Sequence, residues 1–284
     1  VWRSLHDGFR IFDNRRSNVR ICWINTDSRN PKLEAMYTKL DEMVRPVLHP
    51  ETEVEYRFPA KSGDFLRSLY AEHLNSVLVV EEALKAEAEG FDAIFIACWN
   101  DPLWEAREVL GIPVGSVSEQ TMLAALTMGR RFAVVTVSEK TTVAIERDIR
   151  AYGLTDRAIV RPVRAITPES DLNAILAAND PEKVKTDIIP RWEAVAQECV
   201  RDGAEVILIG CTFYGPLLRA AGFTSVPGTG VPVVDGATIG MKYTESMAEI
   251  AKATGYVKST RLAFRPPAAD RLAHARQKLG LITE

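Results

Sequence analysis

Two segments of this chain follow one pattern: AEGFDAIFIACWNDPL at 88–103 and RDGAEVILIGCTFYGPL at 201–217. In each, a helix-like stretch ends in an acidic residue and a glycine, an apolar strand follows, and the strand stops on a cysteine. The glycine stands eight positions before the cysteine both times, Gly90 before Cys98 and Gly203 before Cys211. Downstream, both continue into a helix and then a short apolar strand, GIPVGS at 111–116 and GVPVVDG at 230–236. Upstream, the first strand of each half ends in small polar residues, INTDS at 24–28 and VTVSEKT at 135–141, so that Asn25 to Cys98 is 73 positions and Thr136 to Cys211 is 75. Such spacing predicts duplication of a single α/β lobe.

The rest of the chain agrees. Apolar runs alternate with amphipathic helices: VRICWIN, KLEAMYTKLDEMV, TEVEYRF, FLRSLYAEHLNSVLVVEEALKAEAEG and DAIFIAC, then RFAVVTV, TTVAIERDIRAYGL, RAIVRPV, KTDIIPRWEAVAQECVRDG and AEVILIGC. Alternation of this kind predicts parallel sheets covered by helices. The expected fold is therefore α/β, with two pseudo-symmetric lobes, each a parallel sheet flanked by helices, and an active site in the cleft between them. Lobe 1 is expected over 19–116 plus 236–266 and lobe 2 over 117–235, with 1–18 an N-terminal extension and 267–284 a C-terminal tail or helix.

Composition narrows the function. The net charge is -3 with both signs interspersed, so there is no basic field for nucleic acid. The apolar runs are far shorter than the roughly 20 residues that span a bilayer, and no membrane association is expected. Arginines without an apolar core near the start point to a cytoplasmic, reducing location. The 4 Cys and 4 His are scattered without ligand spacing, so free thiols and no metal are expected.

In parallel α/β sheets ligands bind beyond the carboxyl ends of the strands, where helix N-termini offer free N–H groups. Cys98 and Cys211 both stand there. One such cysteine is expected to be core, since cysteine packs as a small hydrophobe; two in matching places point to chemistry. A helix N-terminus lowers a thiol pKa from roughly 8.5, and no histidine falls in the strand-end loops to serve a nucleophile. Two thiols facing each other suit a different reaction, in which one removes a proton from carbon as thiolate and the other returns one to the opposite face. That is racemisation by 1,1-proton transfer. Donors to the enolate are expected among Asn25, Thr26 and Ser28, Asn100, Thr136, Val137, Ser138 and Thr212, with Trp99 and Phe213 beside the thiols. No nucleotide fingerprint or pyridoxal context is evident, so no cofactor is expected. Cys22 and Cys199 are assigned to packing, Asp101 and Asp235 to turns, and Glu119 to capping a helix that starts near Ser116 or Ser118.

These motifs resemble the aspartate/glutamate/hydantoin racemase superfamily from about Val19 to Val257. GCTFYGPLL is similar to the second-cysteine motif of glutamate racemases, with Phe213 where they carry histidine. IACWNDPLWEARE, GIPVGSVSE and GVPVVDGATIGMKYTE are closer to hydantoin racemases, although the Asn25–Ser28 loop departs from their usual wording. The resemblance implies two related lobes with a catalytic cysteine from each, a small-molecule carbonyl substrate, most simply a 5-substituted hydantoin, and a homo-oligomer. An Asp/Glu-type amino-acid racemase, a maleate isomerase-like or arylmalonate decarboxylase-like enzyme, and a two-lobed binding protein stay open as alternatives.

Overall fold

In the computed structural model the described residues are 18–63, 68–99 and 102–282. Residues 1–17 of the expected extension, the candidate donor Asn100 and the expected turn residue Asp101 lie outside them. The first sheet is built from β1 (Arg20–Ile24), β2 (Glu53–Arg57), β3 (Ala93–Ile96) and β4 (Val114–Ser116), in the order β2-β1-β3-β4. The second holds β5 (Phe132–Thr136), β6 (Ala158–Ala165), β7 (Val206–Gly210) and β8 (Val233–Asp235), in the order β6-β5-β7-β8. All pairings are parallel. The second sheet thus repeats the strand order of the first.

Strand composition follows position. AIFI of β3 and VILIG of β7 are buried throughout, as strands covered on both faces must be. At the edges, EVEYR of β2 exposes Glu53 and Glu55, and β6 accommodates Pro162, which an inner strand could not without losing a ladder hydrogen bond. Gly90 and Gly203 both have positive φ, +82° and +91°. Each therefore makes the left-handed turn from helix into central strand that a side chain would strain.

The helices are α1 (Glu34–Val44), α2 (Leu69–Ala88), α3 (Leu103–Val109), α4 (Ser118–Ala125), α5 (Glu139–Ala151), α6 (Leu172–Ala177), the single turn α7 (Pro181–Lys183), α8 (Ile189–Arg201), α9 (Tyr214–Ala220), α10 (Gly236–Thr254) and α11 (Ala269–Lys278). Between α7 and α8 the backbone widens into a π-turn at Val184–Ile188, where the sequence pattern predicts unbroken helix. Pro190 supplies the reason, because it has no N–H to donate one turn back and its ring crowds that carbonyl. The lobes are packed on each other. Trp23 and Phe95 of the first sheet share one apolar core with Phe132, Val134 and Leu208 of the second, and Trp99 and Met241 belong to it. Helix α1 crosses over to pack on α9, and α10 lies along β3, β4 and α4.

Two expectations about single residues resolve differently. Asp235 does fix a turn: its Oδ1 accepts from the N–H groups of Ala237 and Thr238, capping α10. Glu119 does not cap α4, which has Val117 at its N-cap and no side-chain cap. Its carboxylate instead accepts from Arg107, at 3.0 Å to Nη1 and 2.5 Å to Nη2. Ser116 ends β4 with its N–H donated to Gln120 Oε1, and the Ser118 hydroxyl meets those of Ser116 and Tyr152. A guanidinium within reach outcompetes a cap for a carboxylate. Among the described residues no helix is long and apolar enough to cross a membrane.

Candidate active site

The two cysteines are set by the ends of the two central strands. The Ala97 N–H still donates to Ile24 O at 2.9 Å, so β3 stays paired with β1 up to that point and Cys98 is the first residue to leave. On the other side β5 and β7 pair through Thr136 and Gly210, and Cys211 follows at once. Its carbonyl accepts from Gly215 N at 3.1 Å at the start of α9. The two strand-end loops are tied together: the buried Thr212 hydroxyl donates to Ala97 O at 3.0 Å, across the lobes. Extending the strand registers sets Thr26 beside Cys98 and Val137 beside Cys211.

Both half-buried thiols line one cavity of about 160 Å³, together with Thr26, Trp99, Val137, Thr212 and Phe213. Cys22 and Cys199 lie within β1 and α8, fully buried, and burial pushes their thiols up to about 12 and about 11. They are packing residues, inert as nucleophiles or bases at neutral pH. Trp99 is 2% exposed and joins the interlobe core, while Phe213 lies against Tyr37 with ring centroids 6.1 Å apart.

Other candidates stand back from the cavity. The Thr136 hydroxyl is buried, donates to Gly210 O at 3.0 Å and meets Thr141 Oγ1 at 2.9 Å, so it braces β5 against β7 beneath Cys211. Ser138 is the N-cap of α5, accepting from Thr141 N. Asn25 and Ser28 border a smaller adjoining pocket near Tyr37. Asn25 Nδ2 donates to Arg57 O at 3.3 Å, and Ser28 pairs with Ser62 at 3.0 Å.

The sequence did not single out Asp27, Glu72, Asn75 or Ser76, which complete the polar side of the cavity. Asn75 Nδ2 donates to Asp27 Oδ1 at 2.9 Å, and Asn75 Oδ1 accepts from Gly63 N at 2.9 Å. A signal existed: Asn75 falls at helical spacing in line with the small and apolar residues Ala71, Val79, Ala83 and Ala86, and with Glu81 it is one of two polar residues among the buried positions of α2. Val79, Pro102, Ile145 and Ile175 supply the apolar side. Among the described lining residues there are two carboxylates and no Lys, Arg or His. Nor does any group of three His, Cys, Asp or Glu among the described residues suit a metal ion.

Next to the cavity, burial pushes the Asp148 carboxyl of α5 up to about 7; nearby Arg147 works against this and Glu72 adds to it. Asp148 Oδ2 is buried with no hydrogen-bond partner among the described residues. The folded chain therefore holds a proton that the unfolded chain releases near pH 4, and this contribution to stability, complete below that pH, is lost as pH rises through 7. Asp148→Asn is expected to match the parent at pH 4 and to be more stable by roughly 2–4 kcal/mol at pH 8, as measured by urea unfolding at both pH values. Equal stability at pH 8 would show that the buried charge costs nothing.

Fold and site together define a two-lobed α/β protein in which equivalent strand ends bring one cysteine each to a shared cavity. The chain belongs to the Asp/Glu/hydantoin racemase family, whose model matches residues 34–270, and that membership supports an isomerase. It is 31% identical to a hydantoin racemase of Pseudomonas sp. (strain NS671) over 81% of this chain and 88% of the relative. It is 32% identical to a hydantoin racemase of Rhizobium meliloti, over 75% and 83%. Among solved structures it is similar to allantoin racemase from Klebsiella pneumoniae, with a TM-score of 0.74 and 25% identity, covering 92% of this chain and 99% of that one.

Proposed function

We propose that the protein racemises 5-substituted hydantoins without a cofactor, by two-thiol 1,1-proton transfer between Cys98 and Cys211. The observation that carries this is that both strand-end thiols, one from each lobe, line the same cavity. The C5 hydrogen of a hydantoin is flanked by a carbonyl and a ring nitrogen. One thiolate takes that proton, the C–H electron pair moves into the C4–O enolate, and the other thiol protonates C5 on its opposite face; substrate and product are isomers and the two cysteines exchange protonation states. The enolate needs hydrogen-bond donors, and the Thr26 hydroxyl and the Asn75 amide belong to the cavity wall. Aspartate and glutamate fit less well, because a free carboxylate would enter a site with two carboxylates and no described cation. The likeness to an allantoin racemase favours allantoin, itself a 5-ureidohydantoin, as a second substrate of the same type.

The test is incubation of enantiopure 5-substituted hydantoins, allantoin, aspartate and glutamate in D2O, following optical rotation and deuterium uptake together. Hydantoins should lose rotation as deuterium enters C5. Racemisation of aspartate or glutamate alone would replace this reading with amino-acid racemisation, and a product of lower mass would replace it with decarboxylation.

A further inference from the structure

A second, larger concavity of about 530 Å³ adjoins the catalytic cavity. Glu72, Ser76 and Pro102 line both, so the two spaces meet there. The groove runs between α2, the start of α3 and the end of α5, and α11 forms its remaining wall. The pseudo-symmetry accounts for the space. Helix α1 packs directly on α9, whereas the helices at the equivalent places in the repeat, α5 and α3, flank the groove from two sides. Helix α11 has no counterpart in the repeat and fills part of the gap. It is seated on α2 by Arg276, which donates to Glu81 from Nε at 2.8 Å and from Nη2 at 2.7 Å. The family match ends at residue 270, so nearly all of α11 lies beyond it.

We propose that this groove binds the substituent on the reacting carbon, and that Trp104 and α11 select uncharged apolar substituents, aromatic ones foremost. The inference rests on the racemase reading above. A cavity of roughly 150 Å³ holds one benzene-sized ring, so a five-membered ring at the thiols leaves little room; the adjoining pocket near Tyr37 offers only about 60 Å³, and the wider exit for a substituent is the opening at Ser76 and Pro102. On that path it meets Val77, Trp104 and Leu279, which are large apolar side chains 39%, 46% and 73% exposed. Covering them with an apolar group is favourable, and the indole adds a stacking face. Of the two described arginines of the groove, Arg276 is bonded to Glu81 and Arg147 is exposed to solvent beside the proton-holding Asp148. Its other described titratable groups are Glu72, Glu105, His73 and Tyr152; the carboxylates Glu72, Glu81 and Glu105 outnumber the two arginines, an acidic balance that disfavours an anionic substituent.

The experiment compares kcat/KM for racemisation of 5-benzylhydantoin with that of 5-methylhydantoin. The parent should prefer the benzyl compound, and 5-carboxymethylhydantoin should be the poorest of the three. Trp104→Ala, and separately Leu272→Ala with Leu279→Ala, should lower the benzyl-to-methyl ratio about tenfold, whereas Trp104→Phe should keep most of it. A ratio unchanged in both sets, or a parent that prefers the carboxymethyl compound, overturns the groove assignment while leaving the racemase reading intact. A parent that racemises none of the three hydantoins overturns the racemase reading, and the groove assignment with it.

Discussion

Cys98→Ser, and separately Cys211→Ser, is expected to lower hydantoin racemisation by about 10²–10⁴ while leaving the fold as it is. The substitution is nearly isosteric, and both side chains are only half-buried at the cavity wall. What changes is acidity: a thiol with a pKa of roughly 8.5 can serve as base and acid near neutrality, and an alcohol cannot. Each single variant keeps one thiol. It should therefore still exchange the C5 proton of one enantiomer for deuterium, slowly and with retention, and the two variants should prefer opposite enantiomers. Deuterium incorporation followed by mass spectrometry, with chiral chromatography on the same samples, reads both quantities. Racemisation at the parent rate by either variant would remove the two-thiol mechanism. Cys22→Ser and Cys199→Ser make the contrasting case. There the new hydroxyl enters a fully buried apolar site, so stability should fall by about 1–3 kcal/mol and the chemistry should persist at temperatures where the protein stays folded.

The largest structural effect is expected at Asp235→Ala. This carboxylate, 6% exposed, caps α10 and also accepts from Thr238 Oγ1 at 2.5 Å and from Arg219 Nε at 3.0 Å. Arg219 in turn donates to Met43 O at the end of α1. One side chain thus joins β8, α9 and α10, and through Arg219 it holds the crossing helix α1. Losing the cap costs about 1 kcal/mol. Removing one member of a buried pair costs about 3–5 kcal/mol, a figure to be reduced here because Arg219 is 37% exposed on its side chain and regains water. The sum expected is about 3 kcal/mol, read as a lower midpoint in urea at unchanged slope. Asp235→Asn keeps an acceptor for the cap and should lose about half as much. A loss under about 1 kcal/mol for the alanine variant would mean that the network contributes little beyond the cap.

Much of this architecture is local and so is legible in the residues. Buried parallel strands such as AIFI and VILIG announce themselves as short unbroken apolar runs. Gly90 and Gly203 mark the turns that only glycine makes without strain. The two cysteines occupy strand ends, where a side chain must leave the core. Other side chains have partners that the sequence does not show. Thr136 and Ser138 sit in a strand-end stretch that looks like a binding loop, yet one hydroxyl braces two strands and the other caps a helix; a serine or threonine in sequence does not reveal which partner its hydroxyl finds. Glu119 looks like a cap in sequence because its best partner, Arg107, comes from another helix. Glu72 and Asn75 escape notice because α2 enters the site only through packing.

By itself, then, the sequence determined a duplicated α/β lobe and the strand-end position of Cys98 and Cys211, because apolar periodicity and turn chemistry act over a few residues. Only the tertiary structure decided that both thiols share one cavity, which helices wall it, and that α11 seats beside it on Glu81. Those depend on how two lobes and a terminal helix pack, and packing brings together residues that no local pattern relates.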